Sequence, residues 1–277
     1  MDFLLTLRDM THTIQGLNMK GKNKDKNNTL GLEMPKLIKV ARTQCDNSEN
    51  LEEIAKKAVN LYSNFQSVEG KFRAVRPISR LFGGKVRYAD SGACAFVYKL
   101  DIDGRKYALK IAKKPGSVSL REYEHLEALS DSGVTPKPVA CFALDDGKKG
   151  TRRHGILMEY IEGKTLFKYI VEQKIIGRGV GDISSSLEAV FKQFERKEML
   201  LPDDAHSANI IVRGKNNNSL DIAMVDLESA DSYDKYNSTA EASRMNRWRL
   251  ENLMSKICFV EASKLSALLP IYVRMKF

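Results

Sequence analysis

The sequence predicts an α+β protein of two lobes, a β-rich lobe followed by a truncated helical one. Three observations carry that prediction. From Gly83 the pattern turns β, and "KVRYADSGACAFVYKLDIDGRKYALKIAK" reads as three short strands with "DIDG" turning between the second and third. A helix and a second hairpin follow directly. After Gly163 the chain turns helical, interrupted by one more hairpin.

Taken in order, residues 1–34 join a short amphipathic start to a Lys/Asn-rich run, "KGKNKDKNN", and are expected to be disordered or linker-like. Residues 35–80 are expected to form a helical extension, with "PKLIKVARTQ" and "SENLEEIAKKAVNLYSNF" as its helices. In the second, Leu51, Ile54, Ala55, Ala58, Val59 and Leu61 or Tyr62 fall near helical spacing behind a Ser48 N-cap. Residues 81–161 make the β-rich lobe. Its helix, "VSLREYEHLEALSDSGV", repeats Leu120, Tyr123, Leu126 and Leu129 and stops at Gly133. Its second hairpin turns at "DDGKKG". Residues 162–277 make the helical lobe: "TLFKYIVEQK", "SSSLEAVFKQFERKEM", the hairpin "NIIVRGKNNNSLDIAMVD", then "AEASRMNRWRLENLMSKI". On that last helix Met245, Trp248, Leu250, Leu253 and Met254 form an apolar stripe. We expect it to be a core helix with Trp248 buried and Arg244, Arg247 and Arg249 solvated. The other reading is a basic amphipathic helix for a membrane or an acidic partner.

Composition narrows the function classes. The 277 residues have no apolar run near the ~18 residues a membrane helix needs. The first apolar patch, Phe3 to Leu7, follows Asp2 and is too short for a Sec signal, so Sec export is not expected. Cys45, Cys94, Cys141 and Cys258 are scattered, which argues against a zinc site or a disulfide framework. The net charge of +10 is dispersed rather than gathered in a patch, and no nucleic-acid partner is expected. No internal repeat is evident.

The chemistry gathers in four places. "YALK" ends in Lys110, a charge at the end of an apolar strand that needs a partner. Glu122 lies twelve residues on, with Glu124 and Glu127 as nearby alternatives. "DDAHSAN" spaces Asp204 and Asn209 by five; Asp203 is the rival carboxylate, but its spacing is six. "MVDLE" supplies Asp226 at the end of a hairpin.

In this order, a strand-three lysine, a helix glutamate, a D-x-x-x-x-N loop and a metal-binding Asp, the chain resembles the protein-kinase-like superfamily between about Gly83 and Asp226. "LREYEHLEAL" lines up with the R-E-I-x-x-L helix of kinases and favours Glu122. The resemblance implies a bilobal protein-kinase-like fold and ATP and Mg²⁺ as cofactors. It implies that Lys110 holds the α/β-phosphates, Glu122 fixes Lys110, and Asp226 and Asn209 bind Mg²⁺. Asp204 would orient the acceptor hydroxyl and take its proton. His206 stands where protein kinases usually carry Lys; it either reaches the γ-phosphate or simply packs in the loop. Gly92 and Ala93 belong to a degenerate nucleotide lid, "DSGACAFVY", in which Asp90 and Ala95 replace two glycines. Val97 would cap the adenine, Met158 would be the gatekeeper, and Glu159 and Ile161 would offer hinge backbone groups.

Several departures refine the resemblance. Pro202-Asp203 replace His-Arg, Glu228 replaces the glycine of D-F-G, and no A-P-E follows in the 51 residues after Asp226. The chain therefore resembles minimal bacterial type III effector kinases of the OspG/NleH and HopBF groups. That implies a serine/threonine protein kinase, monomeric, delivered by a non-Sec route into the host cytoplasm or else cytoplasmic, with a host protein substrate such as a chaperone or ubiquitin-pathway protein. Two alternatives stay open. One is a small-molecule kinase of the aminoglycoside or choline type, whose D-L-H-P-x-N and I-D-W-E motifs resemble "DDAHSAN" and "VDLES". The other is a pseudokinase acting as a binding module.

Overall fold

The computed structural model describes residues 36–40, 48–69, 86–91, 94–114, 120–145, 152–179, 182–216 and 219–276. Within residues 34–277 the chain is one compact unit, and it shows the α+β, two-lobed architecture expected from the sequence.

The first lobe is a six-stranded sheet. Its strands are β1 (Lys36–Val40), β2 (Val86–Ser91), β3 (Ala95–Ile102), β4 (Arg105–Ala112), β5 (Pro138–Asp145) and β6 (Arg152–Glu159), in the spatial order β1-β5-β6-β4-β3-β2. All its pairings are antiparallel. The β3–β4 turn is the Asp-Gly hairpin the sequence signals. Asp103 and Gly104 both have positive φ, as a type I′ turn requires, and the Gly104 N–H donates to Asp101 Oδ1 at 3.2 Å.

Strand β4 is buried on both faces from Tyr107 to Ala112. Alternation sorts those residues between two cores. Tyr107, Leu109 and Ile111 pack with Ile54, Ala55, Ala58 and Val59 of helix α1 (Ser48–Glu69). Ala108 and Ala112 face the other way, into the core shared with helix α2 (Leu120–Ala128) and the helical lobe. Lys110 lies between those two alanines in the alternation, so the pleat points it at the same side.

Residues 36–40 depart from expectation, and residues 41–47 and 70–85 lie outside the described residues. "KLIKV" is not helical but forms β1, the outermost strand, paired with β5 through Lys36↔Ala143 and Val40↔Ala140. Five residues are too few to stabilise a helix by themselves, whereas the open edge of β5 satisfies one side of an extended backbone. Helix α1 is present as expected, and it covers one face of the sheet. Residues 1–34, and Gly92 and Ala93 of the lid, lie outside the described residues.

The second lobe begins with β7 (Lys164–Thr165) and helices α3 (Leu166–Ile175) and α4 (Ile183–Arg196). Strands β8 (Met199–Leu200), β9 (Ile210–Asn216), β10 (Ser219–Met224) and β11 (Asp231–Ser232) follow, then helices α5 (Thr239–Ala262) and α6 (Leu265–Lys276). Helices α3, α4 and α5 start where a cap permits. Thr165, Asp182 and Ser238 accept N–H groups of Lys168, Ser185 and Glu241 from the first turns of α3, α4 and α5. Strands β9 and β10 form the expected hairpin, and β7 joins them as a third strand. Strand β8, just before the Leu201–Asn209 loop, pairs with β11 through Leu200↔Asp231.

At Gly163, between the lobes, a Cβ would lie 2.3 Å from the Val212 carbonyl oxygen, at a φ of +154°. Backbone cannot yield there as a side-chain tip can. Gly163→Ala is therefore expected to cost about 2 kcal/mol, read as a lower denaturant midpoint with unchanged slope.

Candidate active site

Lys110 is the centre of the site. Its Nζ lies 2.7 Å from Glu122 Oε1 and 2.7 Å from Asp226 Oδ1, with the lysine only 7% exposed. Burial alone would lower the ammonium's pKa. The charges of Glu122 and Asp226 outweigh that and hold it above the ordinary lysine range. For Glu122 burial pushes the carboxyl up while Lys110 opposes it. Of the three glutamates the sequence left open, Glu122 is the buried one that meets the lysine; Glu124 is exposed and Glu127 half-buried.

Asp226 reaches the lysine from a left-handed backbone, φ +67°. Asp tolerates that region better than most residues, and such conformations gather at functional sites. The segment is anchored on both sides: the Met224 N–H donates to Val134 O and the Val225 N–H to Asn209 O, each at 2.8 Å. The second bond sets the Asn209 loop against the Asp226 loop.

Glu228 was noted in the sequence only as a departure from D-F-G. Its carboxylate and those of Glu122 and Asp226 offer oxygens within 4.8 Å of one another. Burial pushes Glu228 up, Lys110 opposes, and Asp226 and Asp204 push it further. Three carboxylates against one ammonium leave the site anionic, and hard oxygen donors are what Mg²⁺ takes. The residues thus fit a divalent cation chemically.

Asp204 is exposed, on the loop after β8. The Ser229 hydroxyl donates to Asp204 Oδ1 and accepts the Asp204 N–H at 3.4 Å. Ser229 therefore holds one carboxylate oxygen of Asp204. Asp203 is exposed as well. The His206 Nδ1 accepts the Ala208 N–H at 3.2 Å, so the neutral ring carries its proton on Nε2. The ring is exposed, which disfavours the loop-packing reading.

The residues expected to meet the nucleotide, Val97 and Met158, share the Lys110 face of the sheet. Val97 pairs with Lys110 and Met158 with Ala108, and all but the lysine belong to one apolar cluster. Ala108 was missed, although it stands two before the lysine in "YALK". At the hinge, the Glu159 N–H is committed to Lys137 O at 2.8 Å; Ile161 is half-buried just beyond the strand.

Helix α5 corrects the expectation made for it. Trp248 is 56% exposed, and Met245 is exposed too. The buried face runs through Ala242, Asn246, Arg249, Leu250, Leu253 and Ile257. Two polar residues occupy it because they have work there. Asn246 accepts the Leu201 N–H at 2.8 Å and donates to Met199 O at 3.2 Å. Arg249 donates to Leu201 O at 2.5 Å. Lys256 adds a bond to Ala205 O at 3.4 Å. The loop of Asp204, lacking the His-Arg of protein kinases, is thus held by a helix more than forty residues later in the chain. The only advance signal was polar residues at i and i+3 beside Leu250 and Leu253.

No family model and no curated protein matches the chain. Solved structures similar to it include WaaP in complex with acyl carrier protein, at 14% identity over 72% of this chain and 94% of that one, with a TM-score of 0.43. The BubR1 kinase domain is similar at 12% identity over 55% of this chain and 48% of that one, TM-score 0.42. A further kinase domain is similar at 14% identity over 55% and 52%, TM-score 0.41. The chain spans about half the length of the latter two. At this level of likeness the chemistry rests on the residues themselves.

Lys110→Met would leave Glu122 buried beside Asp226 with no cation between them. We expect a loss of about 3 kcal/mol in denaturant unfolding. His125, on α2, is buried with Nδ1 3.0 Å from Leu227 O, and burial holds its pKa below the ordinary imidazole value. A depressed histidine contributes stability that is present above the ordinary value and lost as pH falls through the folded one. Stability should therefore decline below about pH 6.5, and His125→Gln should flatten that part of a thermal-melt profile.

Proposed function

We propose that the chain is an ATP-dependent phosphotransferase, and that it works as a minimal serine/threonine protein kinase. The observation that carries this reading is the buried Lys110 joined to both Glu122 and Asp226, with the Asp204–Asn209 loop bonded to the same segment.

Phosphoryl transfer needs positioning and charge neutralisation more than covalent help. Bound Mg-ATP would supply the γ-phosphoryl group and the cation charge that offsets its oxygens. Lys110 would hold the α/β-phosphates, kept charged and aimed by Glu122. Asp226, with Asn209, would hold the cation, and Glu228 stands close enough to join them. Val97, Ala108 and Met158 would offer the adenine an apolar surface, with Ile161 at the hinge. Asp204, oriented by Ser229, would take the acceptor's proton. His206 would donate from Nε2 toward the γ-phosphate.

The protein-kinase reading, as a secreted bacterial effector acting on a host protein, is supported by economy. The turn from Asp226 to β11 takes five residues, and helix α5 begins at Thr239. That leaves no long segment requiring phosphorylation to order it. The small-molecule kinase reading draws on His206, which sits exposed beside Asp204 in the "DDAHSAN" pattern.

Purified protein with Mg²⁺ and γ-labelled ATP should label proteins of a eukaryotic lysate, or itself, and not a panel of aminoglycosides and choline-like alcohols. Asp204→Ala should lower the rate by roughly 10²–10⁴, and Asp226→Ala should abolish labelling. Label on a small molecule alone would favour the small-molecule reading. ATP binding without transfer would favour a pseudokinase.

A further inference from the structure

Asp231 receives three cations from three elements. Its Oδ1 takes Arg121 Nη2 from α2 and Lys235 Nζ at 2.6 Å from the short 3₁₀ turn after β11. Its Oδ2 takes Arg249 Nη2 from α5 at 3.1 Å. Each arginine also grips backbone nearby. Arg121 donates to Ala230 O at 3.1 Å, and Arg249 donates to Leu201 O at 2.5 Å and to Ser229 O at 3.4 Å.

Arg121 directly precedes Glu122, the residue that holds Lys110. Arg249 holds Leu201, three residues before Asp204, and the backbone of Ser229, whose side chain holds the Asp204 carboxylate. Asp231 itself pairs with Leu200 in the β8–β11 ladder. One carboxylate thus stands between the lysine–glutamate half of the site and the acceptor half. We propose that Asp231 is a positioning residue that couples these halves, keeping α2 docked and the Asp204 loop in register through a fixed charge. The inference rests on the phosphotransferase reading for its consequence in catalysis.

The physics separates the two arginines. An exposed ion pair contributes little by itself, because its partners are free to move and are screened. Arg249 is 8% exposed, and its buried charge requires a carboxylate nearby. Asp231 is therefore the counterion that Arg249 needs, and Arg121 holds the other oxygen of the same carboxylate, so releasing Arg121 also loosens the carboxylate that Arg249 and β8 depend on. Arg121, with its side chain 43% exposed, is the link that can be cut without opening the core.

The test uses the full chain and three variants: Arg121→Gln, Arg121→Lys and Asp231→Asn. Backbone hydrogen exchange is followed without nucleotide over Leu120–Ala128 and over Met199–Asp204. Coupling predicts that Arg121→Gln speeds exchange roughly tenfold in both segments, although only the first contains the substitution. Asp231→Asn should do the same, and Arg121→Lys should stay near wild type. Label transfer from Mg-ATP should fall by a similar factor in the first two variants and recover in the third. Faster exchange confined to Leu120–Ala128, or unchanged exchange in both segments, would overturn the proposal. The exchange result needs no ATP, so absence of transfer by wild-type protein would sink the phosphotransferase reading separately. Should Asp231→Asn fail to fold, Arg121→Gln decides the matter alone.

Discussion

Burying the Lys110 ammonium is unfavourable unless carboxylates come with it, and that requirement organises the site. The lysine lies on β4, the glutamate on α2 and the aspartate in the loop after β10, so three elements distant in sequence must converge within hydrogen-bond reach. The left-handed backbone at Asp226 is part of the same arrangement, because it aims a loop carboxylate back at the sheet. Losing the lysine would leave Glu122 buried beside Asp226 with no cation between them.

The sheet makes that convergence possible. With α1 on one face and α2 plus the helical lobe on the other, β4 is covered on both sides, and alternation alone assigns Lys110 to the interior that holds Ala108, Val97 and Met158. The outer face is closed by apolar packing that has no part in chemistry. A fold built this way can change its outer helix or its edge strand without moving the lysine.

The Asp204 loop is held by different means. It exposes Asp203, Asp204 and His206, and hydrogen bonds to α5 add to the apolar packing of Leu201 and Ala205. That explains why Asn246 and Arg249 take the buried face of the helix while Trp248 faces water. Backbone N–H and C=O groups under a helix must be satisfied, and an amide and a guanidinium do this where leucines cannot.

Much of this was legible in the amino-acid order. The β-then-helical succession, the Asp-Gly hairpin and the pleat that aims Lys110 inward follow from local pattern, while Asp204, Asn209 and Asp226 were singled out by the resemblance. "KLIKV" was not legible, because a five-residue run of mixed polarity takes its conformation from whichever neighbour offers hydrogen bonds, and that neighbour is far along the chain in β5. Nor were the buried Arg249 and exposed Trp248, since hydropathy sorts side chains by their own preference and knows nothing of the backbone groups they must satisfy. The sequence by itself determined which chemical groups are present and on which elements they ride. Only the tertiary structure decided which glutamate meets the lysine, that Glu228 and Ser229 join the site, and what holds the loops, because those depend on long-range proximity that no local periodicity records.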